Sequence, residues 1–292
     1  MQVIFQLMSD SNGVFLSTIF MVSLMVGSFL NVVIYRLPIM MEREWKAEYQ
    51  GYFEPEKLSD TELKPFNLAK PDSTCPRCQH QIRAWENIPL LSWLLLKGRC
   101  SQCKNKISMR YPLVELSTAL LSLLLAWHFG FGLAAVAGVV FTWMLVAMVF
   151  IDLDKMLLPD QLTLPLLWLG LILSVNHTFV STGDAIIGAA LGYLSLWSLY
   201  WAFKLLTGKE GMGYGDFKLL AALGAWVGWQ HLPIVILLSS FVGAIVGITM
   251  LSLQDKDKSQ PIPFGPYLVA AGWITLLYGD LIAQYYLDWA LG

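Results

Sequence analysis

The chain has 292 residues, 56% of them hydrophobic and only 14% charged, with a formal net charge of −2 and a mean hydropathy of +0.58. A soluble globular chain carries about a quarter charged residues, so much of this surface faces something other than water. The near-zero net charge supplies no basic field, which excludes nucleic acid as a partner.

A membrane helix needs about 20 mostly apolar residues to cross about 30 Å of hydrocarbon. Residues 14–35 form the first such run and carry no charge. No basic region precedes the run and no small-residue cleavage pattern follows it, so it is expected to be a permanent anchor. Residues 36–110 are the one sizeable polar stretch, loop-like over 42–71 with a helix expected near 40–49. Residues 112–151 contain only Glu115 and His128 as ionisable groups before the Asp152 cluster, and they are long enough for two spans turning at 128–132. Further spans are expected at 161–175 and 185–203. A charge-free run at 219–254 is expected to fold as two spans hinged at 230–233, the first of them, near 219–229, being short. The last span begins at 261–279. The fold class is therefore an all-α polytopic membrane protein of about eight transmembrane helices. A small domain is inserted between the first two spans, and no internal repeat is expected.

Placement of lysine and arginine sets the orientation. Of 19 such residues, 13 lie between Arg36 and Arg110, and the others are Lys155, Lys204, Lys209, Lys218, Lys256 and Lys258. With eight spans all 19 fall on one side, which is then cytoplasmic, and both termini face the opposite, periplasmic side.

The four cysteines form two knuckles, Cys75-Pro-Arg-Cys78 and Cys100-Ser-Gln-Cys103. Paired Cys-x-x-Cys turns at this separation suit a tetrahedral four-thiolate zinc site, and a reducing cytosol argues against disulfides. An iron–sulfur cluster is the alternative for four cysteines, but paired knuckles favour zinc. A site with four protein ligands is closed, so the expected role is structural. His80 could supply a spare ligand to a shell the cysteines already fill.

Acidic groups in or beside a span are costly and point to function. One cluster, residues 151–160, ends the third span and contains Asp152, Asp154 and Asp160. The other, Gly211-Met-Gly-Tyr-Gly-Asp-Phe-Lys218, opens the sixth. The topology puts both at one face and one depth, so two spans can bring Asp152 and Asp216 together. Two carboxyls held close share a proton. The ionised one can deprotonate water while the protonated one polarises a scissile carbonyl. Gly211, Gly213 and Gly215 allow the close approach of an extended peptide and lack the phosphate-cradling pattern of a P-loop. Asp154, Asp160, Asp184, Asp280 and Asp288 are expected only to cap helices or mark the interface. Lys218 is expected to snorkel. Glu115 is expected to pair with a base or line a polar cavity. His128, His177 and His231 fall on the far face, the tryptophans fit interfacial belts, and no serine sits in a Gly-x-Ser-x-Gly elbow.

From end to end the chain resembles the type IV prepilin leader peptidases, or prepilin peptidase/N-methyltransferases, of bacterial inner membranes. The matching stretches, in order, are Gly27-Ser-Phe-Leu-Asn-Val-Val-Ile-Tyr-Arg-Leu-Pro38, the two knuckles and Arg110-Tyr-Pro-Leu-Val-Glu115. They continue with Ile151-Asp-Leu-Asp154, Leu158-Pro-Asp160, Gly213-Tyr-Gly-Asp-Phe-Lys-Leu219 and Pro263-Phe-Gly-Pro266. The Gly-x-Gly-Asp element by itself is shared with presenilin-like and preflagellin proteases. The resemblance implies that Asp152 and Asp216 are the catalytic pair. It implies substrates that are prepilins and pseudopilins, cut after a glycine at the cytoplasmic face. It also implies methylation of the new amine by S-adenosylmethionine, an activity that accompanies the cysteine-bearing loop. The expected division is a first span at 1–35, a zinc-binding domain at 36–111 and an aspartyl peptidase core of about seven spans at 112–292. A prepilin's apolar helix would sit in the bilayer and put its junction at the depth of the aspartates. Asp152, Asp154, Asp160 and Asp216 would attract its basic leader. Two rivals differ in class. A proton-coupled transporter would use the acids as relays, and a non-catalytic assembly factor would tolerate loss of Asp152 or Asp216. Within the enzyme class the alternative is a peptidase without methylation.

Overall fold

The computed structural model describes residues 2–53, 65–253 and 262–292. The expected loop at 54–64 and the cations Lys256 and Lys258 lie outside these. The described residues are helical apart from turns and two isolated antiparallel bridges, Thr74 with Gln81 and Arg99 with Lys106.

The chain divides after Ala147 into two compact units. In the first, a short helix α1 (Gln2–Asp10) precedes α2 (Asn12–Phe53). At 1.5 Å per residue the 42 residues of α2 extend about 63 Å, twice the hydrocarbon thickness. The helix foreseen near 40–49 is thus the continuation of the first span. Pro38 lies inside it at the loss of one backbone hydrogen bond. Val33, Ile34, Leu37 and Met41 are buried around that point, and their packing holds the helix through it. Beyond the membrane-length part, Arg36 gives Nη1 to the Asn67 carbonyl at 3.0 Å and Nη2 to that of Pro71 at 2.6 Å. One heptad on, the Arg43 guanidinium lies 4.2 Å from the Phe66 ring centre.

After the cysteine region and the five-residue α3 (Leu91–Leu95), the chain forms α4 (Arg110–Phe129), turns at Gly130 with φ +68°, and enters α5 (Leu133–Lys155). Helices α2 and α4 cross closely at Gly27, where a Cβ would stand 2.8 Å from the Glu115 Cα. The Trp143 indole on α5 donates to Ser23 Oγ on α2 at 3.2 Å.

The second unit contains the end of α5, then α6 (Asp160–Ser174), α7 (Thr182–Thr207), α8 (Tyr214–Val227), α9 (Leu232–Leu253) and α10 (Gly265–Leu291). Helix α8 is its centre. It packs on α6, α7 and α10, and Asp216, Phe217 and every residue from Leu219 to Val227 are buried. Backbones approach closely where small residues meet: Gly188 on α7 faces Gly224 on α8, and a Cβ on Gly192 would stand 2.5 Å from the Leu220 carbonyl oxygen. Such contacts are how membrane helices pack in a solvent as apolar as their own side chains.

Each of the eight expected apolar segments is helical. Six helices are long and apolar enough to cross a membrane, α6 is a shorter apolar helix, and α8 has 14 residues. The hinge expected at 230–233 falls slightly earlier, at Gly228 (φ +78°) and a 3-10 turn over Trp229–His231.

Candidate active site and metal centre

Asp152 lies one turn from the end of α5, and Asp216 is the third residue of α8. Both are buried, at 5% and 8% exposure. Both are gathered around Leu158, which meets Gly215 beside Asp216 and Gly265 beside Asp152. The Asp152 carboxylate is held by a backbone N–H at the start of a helix. Gly265, the first residue of α10, donates to Asp152 Oδ2 at 3.0 Å. Gly213, the residue that caps α8, lies beside the Asp216 carboxylate, whose Oδ2 would stand 3.8 Å from a Cβ there. Free N–H groups of a first helical turn suit carboxylates, and Asp216 stands in the first turn of α8.

Leu158 sets the spacing around the pair. The chain leaves α5 through Met156 at φ +50°, and the Met156 N–H donates to the Asp152 carbonyl at 2.8 Å. Leu158 then turns inward, 7% exposed. A Cβ on Gly215 would stand 2.7 Å from Leu158 Cβ, and one on Gly265 would stand 3.3 Å from Leu158 Cδ1 and 2.6 Å from Asp152 Oδ2. Only glycine fits at either side of this leucine. On the other flank of the loop, Lys204 Nζ donates to Glu210 Oε1 at 2.8 Å and to the Tyr200 hydroxyl at 3.1 Å. The lysine holds the Glu210 carboxyl below its ordinary range. Tyr200, Tyr214 and Phe217 stack as a cluster, with ring centres 5.4–5.6 Å apart. The glycine loop is thereby tied to the end of α7.

The other acids do different work. Asp160 is engaged by Lys218, with Nζ 2.7 and 2.8 Å from its two oxygens, so Lys218 is an ion-pair partner rather than a snorkelling cation, and Asp160 is not a free anion for a basic leader. Asp184 lies in the first turn of α7, where Ser181 caps, and accepts the Trp229 and Gln230 side-chain N–H groups at 2.9 and 2.8 Å. His231 Nε2 is 3.2 Å from Asp280 Oδ1, a partner 49 positions away that sequence proximity did not reveal. Asp154 and Asp288 are exposed. Among the described residues Glu115 pairs with no base: its Oε2 accepts the Leu90 N–H at 2.8 Å.

The cysteine region is a duplicated turn, which overturns the expectation of no internal repeat. Cys75-Pro-Arg-Cys-Gln-His-Gln-Ile82 and Cys100-Ser-Gln-Cys-Lys-Asn-Lys-Ile107 share both cysteines and the isoleucine at one spacing. Their hydrogen bonds repeat in step. Cys75 N–H donates to the His80 carbonyl at 2.9 Å, and Cys100 N–H to that of Asn105 at 2.8 Å. Ile82 N–H reaches Ser73 at 2.9 Å, and Ile107 N–H reaches Gly98 at 2.7 Å. Gln79 and Lys104 take positive φ at +58° and +56°. The similarity is legible in sequence only through residues the turn itself demands. The four Sγ atoms lie within 4.8 Å of one another and can hold a metal ion. The N–H groups of Cys78 and Arg77 donate to the Cys75 sulfur and pull its pKa down to about 6. His80 does not join the cluster: its Nε2 lies 3.1 Å from Glu86 Oε2 and 3.3 Å from Ser101 Oγ. The Ser101 hydroxyl, the Arg83 N–H and His80 together lower the Glu86 carboxyl to about 2.

Comparison with known sequences bears on both units. Residues 21–129 match the profile of the bacterial peptidase A24 N-terminal domain, and residues 139–248 match that of the type IV leader peptidase family. A protein of Aeromonas hydrophila named prepilin leader peptidase/N-methyltransferase is 65% identical over 273 residues, 94% of each chain. Proteins of the same name from Pseudomonas aeruginosa and Legionella pneumophila are 61% and 48% identical, over 92% and 91% of this chain and 92% of each relative. No solved structure matches. Helices and site together define a polytopic membrane protein with a buried carboxylate pair. The chain belongs to the type IV leader peptidase family.

Proposed function

We propose that this chain is an aspartic endopeptidase of the bacterial inner membrane that removes the basic leader of prepilins and pseudopilins and methylates the amine it exposes. Asp152 and Asp216 are its catalytic pair. The observation that carries this reading is the geometry of the two carboxylates: both buried, both beside Leu158, and Asp152 aimed by the helix-start N–H of Gly265. With one proton shared between them, the ionised carboxylate takes a proton from water as the water oxygen bonds to the scissile carbonyl carbon. The protonated carboxyl donates to the carbonyl oxygen. Collapse of the adduct breaks the C–N bond, and the departing amine leaves with a proton from the dyad. The Gly265 N–H holds Asp152 through the cycle, which keeps the reacting atoms aligned.

The four thiolates hold zinc. A tetrahedral site with Zn–S of about 2.3 Å requires sulfurs about 3.8 Å apart, and Cys75–Cys103 and Cys78–Cys100 are 3.8 and 3.9 Å apart. With four protein ligands the ion orders the region between 73 and 107 and leaves no position for water. The methyl group would come from S-adenosylmethionine, the donor the family resemblance implies. The side rich in Lys and Arg, with both aspartates and the zinc region, faces the cytoplasm, and the termini face the periplasm.

The test is leader removal from a prepilin peptide in mixed micelles, read by mass with S-adenosylmethionine present. Wild type should cut and add one methyl, while Asp152→Asn and Asp216→Asn should each lose cleavage. Normal cleavage by both variants would move the chemistry elsewhere, and inactivity of folded, zinc-loaded wild type would bring the transporter reading forward.

A further inference from the structure

The stretch between the two knuckles has a surface unlike that of a soluble domain. Within eleven residues, Trp85, Ile88, Leu91, Leu94 and Leu95 are 48, 45, 50, 63 and 69% exposed. The inward side of α3 is satisfied by other groups: Ser92 is buried, and Trp93 packs on Gly98. Helix α3 and its approach therefore present an outward face of large apolar side chains. A run of this kind marks an interaction surface rather than a face left to water.

Its depth is fixed by one bond. The Leu90 N–H donates to Glu115 Oε2 at 2.8 Å, and Glu115 lies buried in the second turn of α4, one of the membrane-length helices. The stretch is held at the level where that span begins. Leu90 takes φ +58° and ψ −48° to reach it, a conformation costly for a leucine. On α4 itself, Tyr111, Leu113 and Leu116 in the first two turns are also exposed.

Charge completes the pattern. Between residues 73 and 110 there are seven Lys and Arg against one acid, Glu86, and that acid is turned onto His80 and the Arg83 N–H. Exposed Arg83, Lys97 and Arg99 flank the leucines. Apolar side chains bordered by cations suit the boundary between acyl chains and anionic headgroups, where such elements sit about 5–10 Å deep.

We propose that residues 85–95 form a monotopic anchor: the outward face of α3 lies in the leaflet at the start of α4, against anionic phospholipid. The zinc region is then not a domain free in the cytosol. It is fastened to the bilayer on both sides of Cys100, by α3 before it and by α4 after it, and its metal sits at headgroup level.

The experiment uses the full chain with benzoylphenylalanine in place of Leu94, of Leu124 on α4, or of Glu48 on the far part of α2. Each is reconstituted in phosphatidylethanolamine vesicles containing radiolabelled phosphatidylglycerol and irradiated. Position 94 should take up lipid label within about twofold of position 124, and position 48 at least tenfold less. Replacing the phosphatidylethanolamine by phosphatidylcholine at constant phosphatidylglycerol should leave the yield at 94 unchanged, whereas competition with unlabelled anionic lipid should lower it. A yield at 94 no higher than at 48, or capture of a second copy of the chain in place of lipid, would overturn the assignment. The readout needs no catalysis, so it stands or falls separately from the peptidase reading.

Discussion

Gly265 shows how little of an aspartyl site has to be aspartate. Its N–H holds Asp152 Oδ2 at 3.0 Å, and a Cβ there would stand 2.6 Å from the same oxygen. Gly265→Ala should therefore leave the chain folded, with a melting temperature within a few degrees of wild type. Leader cleavage should slow roughly a hundredfold, the usual consequence of displacing a reacting group by about 1 Å. Single-turnover kinetics beside a thermal scan would check this, and an unchanged rate would mean that another group aims Asp152. The two aspartates were legible in the sequence because a charge at a span end is expensive and demands a reason. Gly265 was visible only as part of Pro-Phe-Gly-Pro, since a backbone donor has no side-chain signature. The available signal was a glycine directly before the proline of a helix's first turn, a place where helix starts offer free N–H groups. Leu158 was legible as a motif residue but not as the spacer between two glycines, because contact across distant segments leaves no mark on local pattern.

Among the elements, α8 stands out as a short apolar helix that is almost wholly buried. Its shortness follows from its surroundings: a helix enclosed by α6, α7 and α10 need not match the hydrocarbon thickness, because little of it meets lipid. Gly188 and Gly224 make that enclosure by letting α7 and α8 touch backbone to backbone. Gly188→Leu should force the helices apart and destabilise the second unit by about 1–3 kcal/mol, the common cost of overpacking, read as a lower denaturation midpoint in detergent. A midpoint equal to that of wild type would show that the crossing can open without loss. Hydropathy found all eight helices because composition alone identifies an apolar segment. It could not tell which segments face lipid and which face protein, since both are equally apolar. Pro38 does not end α2, because packing around Ile34 and Leu37 keeps the helix continuous.

At the scale of the molecule, Asp152, Asp216 and Gly265 belong to residues 148–292, and all four cysteines belong to residues 1–147. If the four thiolates hold structural zinc as proposed, a strong chelator should expose residues 76–99 to protease, because such an ion supplies on the order of 10 kcal/mol of folding energy. Leader cleavage should persist. Proteolysis and the cleavage assay on one sample would check both, and a parallel loss of cleavage would make the zinc region part of the peptidase. The continuity of α2 has a consequence of its own. Arg36 and Arg43 stand seven residues apart on one helix, and together they grip the segment 66–71. Seven residues return a helix to within about 20° of its starting azimuth, whereas one inserted residue turns everything beyond it by about 100°. The interval between these arginines is thus a matter of phase as well as length. Where a loop would absorb an insertion of any size, this stretch should accept only those that bring Arg43 back to face Phe66.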